Sequence, residues 1–173
     1  MKTNIHCINS RILALAAALL FMGYAHASNS ILLDVNMKGS HKPHTGKDSA
    51  EEHRRWLEIS AAAMSLTTPT QVTLEWHFFA DDLSAKEVIE HAKGSEIIEM
   101  QPGKNKGVTT KETVFSYTRE HSERASSGRR ASYKRVEAAG TRFHGWGVRA
   151  LIDGKVVAEA FSSRDIAKLM EEP

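Results

Sequence analysis

Ten residues, Gln71 to Ala80, constrain this chain more than any others. Val72, Leu74, Trp76 and Phe78 fall on one side of an extended backbone, and Thr73, Glu75 and His77 fall on the other. Side chains of a strand point alternately to opposite faces, so this pattern specifies a strand with one face buried. Such a strand cannot stand alone. It needs a neighbouring strand and a second apolar layer against its buried face.

The rest of the chain supplies candidates. Ile31 to Lys38 alternates at Leu33, Val35 and Met37 and reads as a strand; Gly39 to Ser49 is polar and reads as a loop. Arg55 to Leu66 keeps period two at Leu57, Ile59, Ala61 and Ala63 and reads as a strand. Its alanine run gives helix as the alternative. Asp81-Asp82 ends the central strand. Glu87 to Ala92 reads as a short strand or a helical turn, Lys93-Gly94 as a turn, and Glu96 to Met100 as a strand closed by Gln101-Pro102-Gly103. Gly107 to Thr118, rich in Thr, Val, Phe and Tyr, reads as one more strand. Arg119 to Gly140 is polar, basic and without a clear period.

Thr141 to Leu151 and Lys155 to Phe161 flank Asp153-Gly154. A two-residue turn there pairs Val148 with Glu159, placing a charge opposite the apolar face. A three-residue loop, Ile152 to Gly154, pairs Leu151 with Lys155. It puts Trp146, Val148, Ala150, Val156, Ala158 and Ala160 on one face, and this one-face consistency favours it. Gly145 and Gly147 lie on the opposite face, where glycine marks a bulge or a close approach of other atoms. Ser162 and Ser163 precede a helix predicted over Arg164 to Glu171, and Ser162 with Asp165 has capping-box spacing. The sum is an all-β chain: an immunoglobulin-like β-sandwich of about seven strands with a short C-terminal helix, with a small barrel as the alternative.

The N-terminus carries a different message. Lys2 and Arg11 flank the start of an uncharged apolar run, Ile12 to Met22, and Ala25-His26-Ala27 follows. Positive charge, apolar core and small-x-small site in that order read as a secretory signal peptide. The run is about half the roughly 20 residues that a spanning helix needs. The expected division is a signal peptide at 1–27 and one β-sandwich domain at 28–173, with no transmembrane segment in the mature chain. The expected location is outside the cytoplasm, periplasmic or extracellular. Composition then reads differently. The full chain has 23 basic and 21 acidic residues, a net charge of +2 and a pI near 8.7. Without Lys2 and Arg11 the count is 21 against 21. A formally neutral domain offers no whole-molecule attraction to nucleic acid. The single cysteine, Cys7, belongs to the leader, so the mature domain has neither disulfide nor thiol nucleophile.

Leu74-Glu75-Trp76-His77-Phe78-Phe79-Ala80, Gly145-Trp146-Gly147-Val148-Arg149, Asp153-Gly154-Lys155-Val156-Val157-Ala158 and Ser162-Ser163 together resemble small exported β-sandwich proteins of unknown function from Gram-negative bacteria. The resemblance runs from about Val72 to Leu169. Immunoglobulin-like exported proteins linked to type IV pili are a more distant similarity. The resemblance implies a fold and carries no catalytic residue.

Candidate sites are few. His41-x-x-His44, with His53, offers imidazoles for zinc or copper, but no cysteine or adjacent carboxylate completes a motif, so neither a metal site nor a cofactor is expected. Gly-x-Ser-x-Gly and His-Glu-x-x-His are both absent, which leaves a hydrolase only as an alternative with an unrecognised site. Asp81-Asp82 reads as a strand end before it reads as a calcium or carboxylate-pair site. Trp76 and Trp146 are in phase with apolar faces and read as core; Trp56 is out of phase and is the tryptophan expected to be exposed. The one pronounced charge asymmetry is basic. Arg119, Arg124, Arg129, Arg130, Lys134 and Arg135, with Tyr133 among them, face only Glu120 and Glu123 in that segment. These residues form a candidate surface for an anionic glycan or lipid. The first functional expectation is an interaction or accessory module of the bacterial envelope, pilus- or secretion-associated as one alternative. It would engage an envelope protein through an edge strand, with Ile31 to Lys38 and the strand containing Glu87 to Ala92 as the edges.

Overall fold

A computed structural model describes residues 30–42, 50–124 and 132–171. Among them are ten strands and one helix: β1 (Ile31–Lys42), β2 (Ala50–Ala63), β3 (Thr70–Asp82), β4 (Glu87–Met100), β5 (Asn105–Thr109), β6 (Thr113–Thr118), β7 (His121–Arg124), β8 (Tyr133–Val136), β9 (Ala139–Ile152), β10 (Lys155–Phe161) and α1 (Arg164–Glu171). The all-β sandwich with a short C-terminal helix is what forms, with ten strands where about seven were expected. The helix occupies the predicted span, and the alanine-rich segment is strand.

Eight strands follow one antiparallel path, β1-β2-β6-β9-β3-β4, with β5 also on β2 and β10 also on β9. The path folds into two layers. One contains β1, β2, β5 and β6; the other contains β10, β9, β3 and β4; β9 links them by pairing Gly140 with Tyr117 at its start. Between them lies one core. Ile31, Leu57, Ile59, Ala61 and Phe115 come from the first layer, and Val72, Leu74, Phe78, Ile98, Val148 and Ala150 from the second. The alternation read in β1, β2 and β3 is the alternation of that core.

Several local expectations fail for reasons of long-range pairing. Lys93-Gly94 is no turn: β4 runs through it, because Gly94 lies beneath Trp76, and a Cβ there would meet Trp76 Cζ2 at 2.5 Å. Gly39 to Lys42 continues β1, and residues 43–49 lie outside the described set. The unpatterned basic segment contains the small hairpin β7–β8, and β9 begins at Ala139.

The last hairpin is also different. It closes through a two-residue turn, with Asp153 at φ 50° and Gly154 at φ 74°, and pairs Ile152 with Lys155. A bulge between Val156 and Ala158 then shifts the register, so Ala158 meets Ala150 and Ala160 meets Val148. The apolar residues still meet, but the correction comes from the bulge rather than from the turn, and Val156 stays exposed. Ser163, not Ser162, caps α1: its Oγ accepts from Ile166 N at 3.4 Å, while Ser162 Oγ accepts from Trp146 N at 2.9 Å. Gly145 and Gly147 do mark a close approach, since Cβ atoms there would strike Ile166 and Met170 of α1.

The strand expected over Gly107 to Thr118 is two strands. β2 pairs with β6 as far as Arg55 and with β5 from Glu58. Thr110 fills the gap. Leu57 N donates to Thr110 Oγ1 at 2.9 Å, and Thr110 N donates to Leu57 O at 2.9 Å. Thr110→Val keeps the shape but leaves the buried Leu57 N–H without an acceptor, at an expected cost of about 1–3 kcal/mol. Urea denaturation should show that loss, together with faster amide exchange at Leu57.

Candidate functional site

The outer face of β3, β4 and β9 is half covered by α1 and half open. Where the helix stops, two adjoining hollows of about 330 and 360 Å³ share His77 as a wall. The first is lined by His77, Phe79, Val88, Glu90, Arg149, Leu169 and Met170; the second adds Glu75, Lys93, Gly94 and Ser95. This groove follows from the strand pattern. The residues of β3 that alternate away from the core are Thr73, Glu75 and His77, and the pairing sets Glu75 beside Ser95 and His77 beside Lys93.

A bulge shapes the chemistry. Phe78 pairs with Ala92 and Phe79 with Glu90, so His91 is the extra residue of β4. It turns toward the first layer, stacks on Phe115 with centroids 4.7 Å apart, and donates from Nε2 to Val114 O at 2.9 Å. The shift brings Glu90 to the groove side. His77 Nδ1 donates to Glu90 at 2.6 Å and Lys93 Nζ lies 2.9 Å from it. Lys93 first, and His77 with it, hold the Glu90 carboxyl below its usual range against the opposing effect of burial. Arg149 Nε is bound to Glu159 at 2.8 Å. Glu75 is half-buried and has no hydrogen-bond or ion-pair partner among the described residues. The groove therefore has an apolar floor, neutralised pairs on its walls and one spare carboxylate. No sequence motif marks the His77–Glu90 pair; only the alternation of His77 with Glu75 hinted that both face outward.

The candidates read from the sequence are placed as follows. Asp82 ends β3, its Oδ1 accepting from Ser84 N at 2.8 Å and Ala85 N at 3.0 Å. Asp81 points elsewhere, to His144 at 2.7 Å and Arg142 at 2.9 Å, so the two carboxyls do not form a shared site. Among the described residues no serine or threonine hydroxyl is hydrogen-bonded to His77 or His144. His41 and His53 meet as cross-strand neighbours with rings 4.3 Å apart, and Tyr117 stacks on His53 at 5.8 Å. His44 lies outside the described residues. Glu51, beside them, accepts from Tyr117 Oη at 2.9 Å and Arg119 Nε lies 2.8 Å from it. The Tyr117 hydroxyl first, with His53 and Arg119, holds its carboxyl below the usual range. Among the described residues no three His, Cys, Asp or Glu side chains gather in metal-binding geometry.

The basic segment divides. Arg119 is paired with Glu51, and Arg135 with Glu120 at 2.6 Å. Arg124 stands opposite Tyr133 and Lys134 opposite Glu123 in the β7–β8 hairpin, with Tyr133 68% exposed. Arg129 and Arg130 lie outside the described residues. Trp76 and Trp146 pack against the core as expected, whereas Trp56 is half-buried rather than exposed. Both suspected strands, β1 and β4, are ends of the sheet path. No helix among the described residues is long and apolar enough to cross a membrane.

No family profile matches the chain, and no curated protein does. Solved structures resemble it weakly. The putative ApaA protein from Bordetella pertussis is 10% identical over 76% of this chain and 92% of its own, with a TM-score of 0.37. The structural-genomics target SoR45 is 14% identical over 66% and 86%, with a TM-score of 0.34. A protein from Akkermansia muciniphila is 12% identical over 83% and 76%, also at 0.34.

Proposed function

We propose that this protein is an exported, non-enzymatic β-sandwich module of the bacterial envelope that binds a basic, extended segment of a partner along β4. The observation that carries this reading is the edge itself. β4 has 14 residues, and its outer side pairs with no strand among the described residues. Val88 and Ile97 are exposed on it, Ile97 to 69%. An open edge of this length templates strand addition, in which main-chain bonds give affinity and neighbouring hollows give specificity.

Charge selects the partner. Glu87, Glu90, Glu96 and Glu99 stand on β4 against Lys93 alone. In the antiparallel self-pairing centred on Lys93, Glu87 meets Glu99, Glu90 meets Glu96, and Lys93 meets itself. Like charges directly opposite are destabilising, so that register disfavours a second copy and the acidic edge favours a basic strand. The groove beside the edge agrees, because Glu75 is a carboxylate free to take a lysine or arginine of that strand. Export rests on the charge, apolar run and Ala25-His26-Ala27 of the N-terminus.

A photo-crosslinking residue at Ile97 tests the proposal in the cells that produce the protein. A discrete adduct is expected there and not from a control position at the exposed Lys168 of α1. The double substitution Glu96→Lys, Glu99→Lys should reduce the adduct at least about tenfold, since reversing two charges removes the attraction to a basic strand. No discrete adduct at Ile97, or one indifferent to the reversal, overturns it.

A further inference from the structure

Arg54, Arg119, Arg135, Arg142 and Arg149 each hold a carboxylate. Arg55 does not, although it is the arginine that the strand pattern turns inward. It continues the core-facing series Leu57, Ile59, Ala61 of β2 to the end of the sandwich, and it is half-buried there. Among the described residues no hydrogen-bond acceptor or acid is bonded to it, and its Nε is buried without a partner.

The surroundings are arranged around this side chain. Its cross-strand neighbours are Gly39 on β1 and Thr113 on β6, neither of them charged. A Cβ on Gly39 would strike the Arg55 guanidinium and lie 2.8 Å from its Cδ, so the glycine leaves the space that the arginine occupies. From the other layer, the Phe143 ring lies 5.8 Å from the guanidinium carbon. A ring face steadies a cation but satisfies none of its N–H donors in the plane. The residues beyond, toward the end of β1 and the start of β2, are His53 on β2 and His41 on β1. Glu51, further along the same face of β2, is already engaged by Tyr117 and Arg119.

The planar fork of a guanidinium matches two oxygens of one group. The Arg55 Nε–H is buried without an acceptor, which is unfavourable unless a ligand oxygen completes it. We infer that Arg55, framed by Gly39, Thr113 and Phe143 at the end of the sandwich, is the anchor of a binding site for a compact oxyanion, a carboxylate or a phosphate group. The site lies on the inner face of β1, β2 and β6 and is independent of the β4 edge, so either can fail without the other.

The test uses the full-length mature chain, labelled with ¹⁵N, and follows the Arg55 Nε–H resonance directly. Sodium phosphate and sodium acetate are titrated separately, with sodium chloride at matched ionic strength as control. A saturable downfield movement with phosphate or acetate, and not with chloride, is expected; which of the two acts at lower concentration identifies the ligand's head group. Arg55→Met, which keeps the apolar stem, should weaken saturable binding at least about tenfold, the loss of a charge-assisted bidentate contact. If that variant does not fold, Arg55→Lys and the wild-type titration decide. A resonance that moves with neither oxyanion, or undiminished affinity in a folded Arg55→Met protein, overturns the inference.

Discussion

Replacing Phe115 by alanine is expected to remove about 3–5 kcal/mol of stability, the usual range for truncating a buried aromatic ring. A domain of this size has on the order of 5–15 kcal/mol in total, so the variant should be close to unfolding at physiological temperature. The reason lies in what the ring joins. Phe115 has no exposed surface, and three rings from the opposite layer converge on it. Phe78 meets it edge-on at 6.2 Å, Phe143 edge-on at 5.4 Å, and His91 stacks at 4.7 Å. Removing it opens a cavity at the junction of β3, β4, β6 and β9, which these rigid strands cannot collapse to fill. Urea denaturation followed by tryptophan fluorescence measures the effect. Phe115→Leu, which keeps much of the volume, should lose clearly less. A loss below about 1 kcal/mol for the alanine variant, the level of an ordinary surface change, would contradict this packing.

Gly140→Ala is the second large effect. Gly140 has φ +95°, and a Cβ there would run into the Ser116 carbonyl oxygen and lie 3.0 Å from Tyr117 Cα. Both obstacles are backbone, so no side chain can swing away. Strain at a disallowed φ and overpacking each cost about 1–3 kcal/mol, which gives on the order of 2–6 kcal/mol together. Gly103→Ala separates the two. Gly103 has φ +67° with open space around its missing Cβ, so only the φ cost of about 1–2 kcal/mol applies. The difference between the two variants measures the close approach at Gly140. That approach is where β9 leaves the partner of its first residues, β6, and becomes the partner of β3. Equal losses in the two variants would show that the layers can part there without resistance.

The strands most visible in the sequence are those whose two faces differ. β3 is legible because Val72, Leu74 and Phe78 are buried while Glu75 and His77 face the groove. β1 and β2 are legible for the same reason, and α1 because Ile166 and Met170 fall on one side after a capping serine. Locally β4 looks like two pieces, because Gly94 imitates a turn and only the pairing with Trp76, eighteen residues earlier, shows that its missing side chain makes room for that ring. The hairpin β9–β10 was legible in its purpose and not in its device: alanine and valine had to meet, and either the turn or a bulge could arrange it. Of the candidate site, the outward direction of Glu75 and His77 was readable. The His77–Glu90 pair was not, because it depends on a bulge at His91 that nothing local announces.

By itself, then, the sequence determined the all-β class, the faces of the principal strands and the terminal helix. Each of these depends on neighbours within a few residues, through alternation or propensity. Only the tertiary structure decided which strands lie at the edges, where register shifts at His91 and Val157, why Thr110 interrupts one strand, and that the half-buried Arg55 has no acid bonded to it among the described residues. Those depend on which distant backbone groups pair. A shift of one residue in that pairing carries a whole row of side chains to the other face.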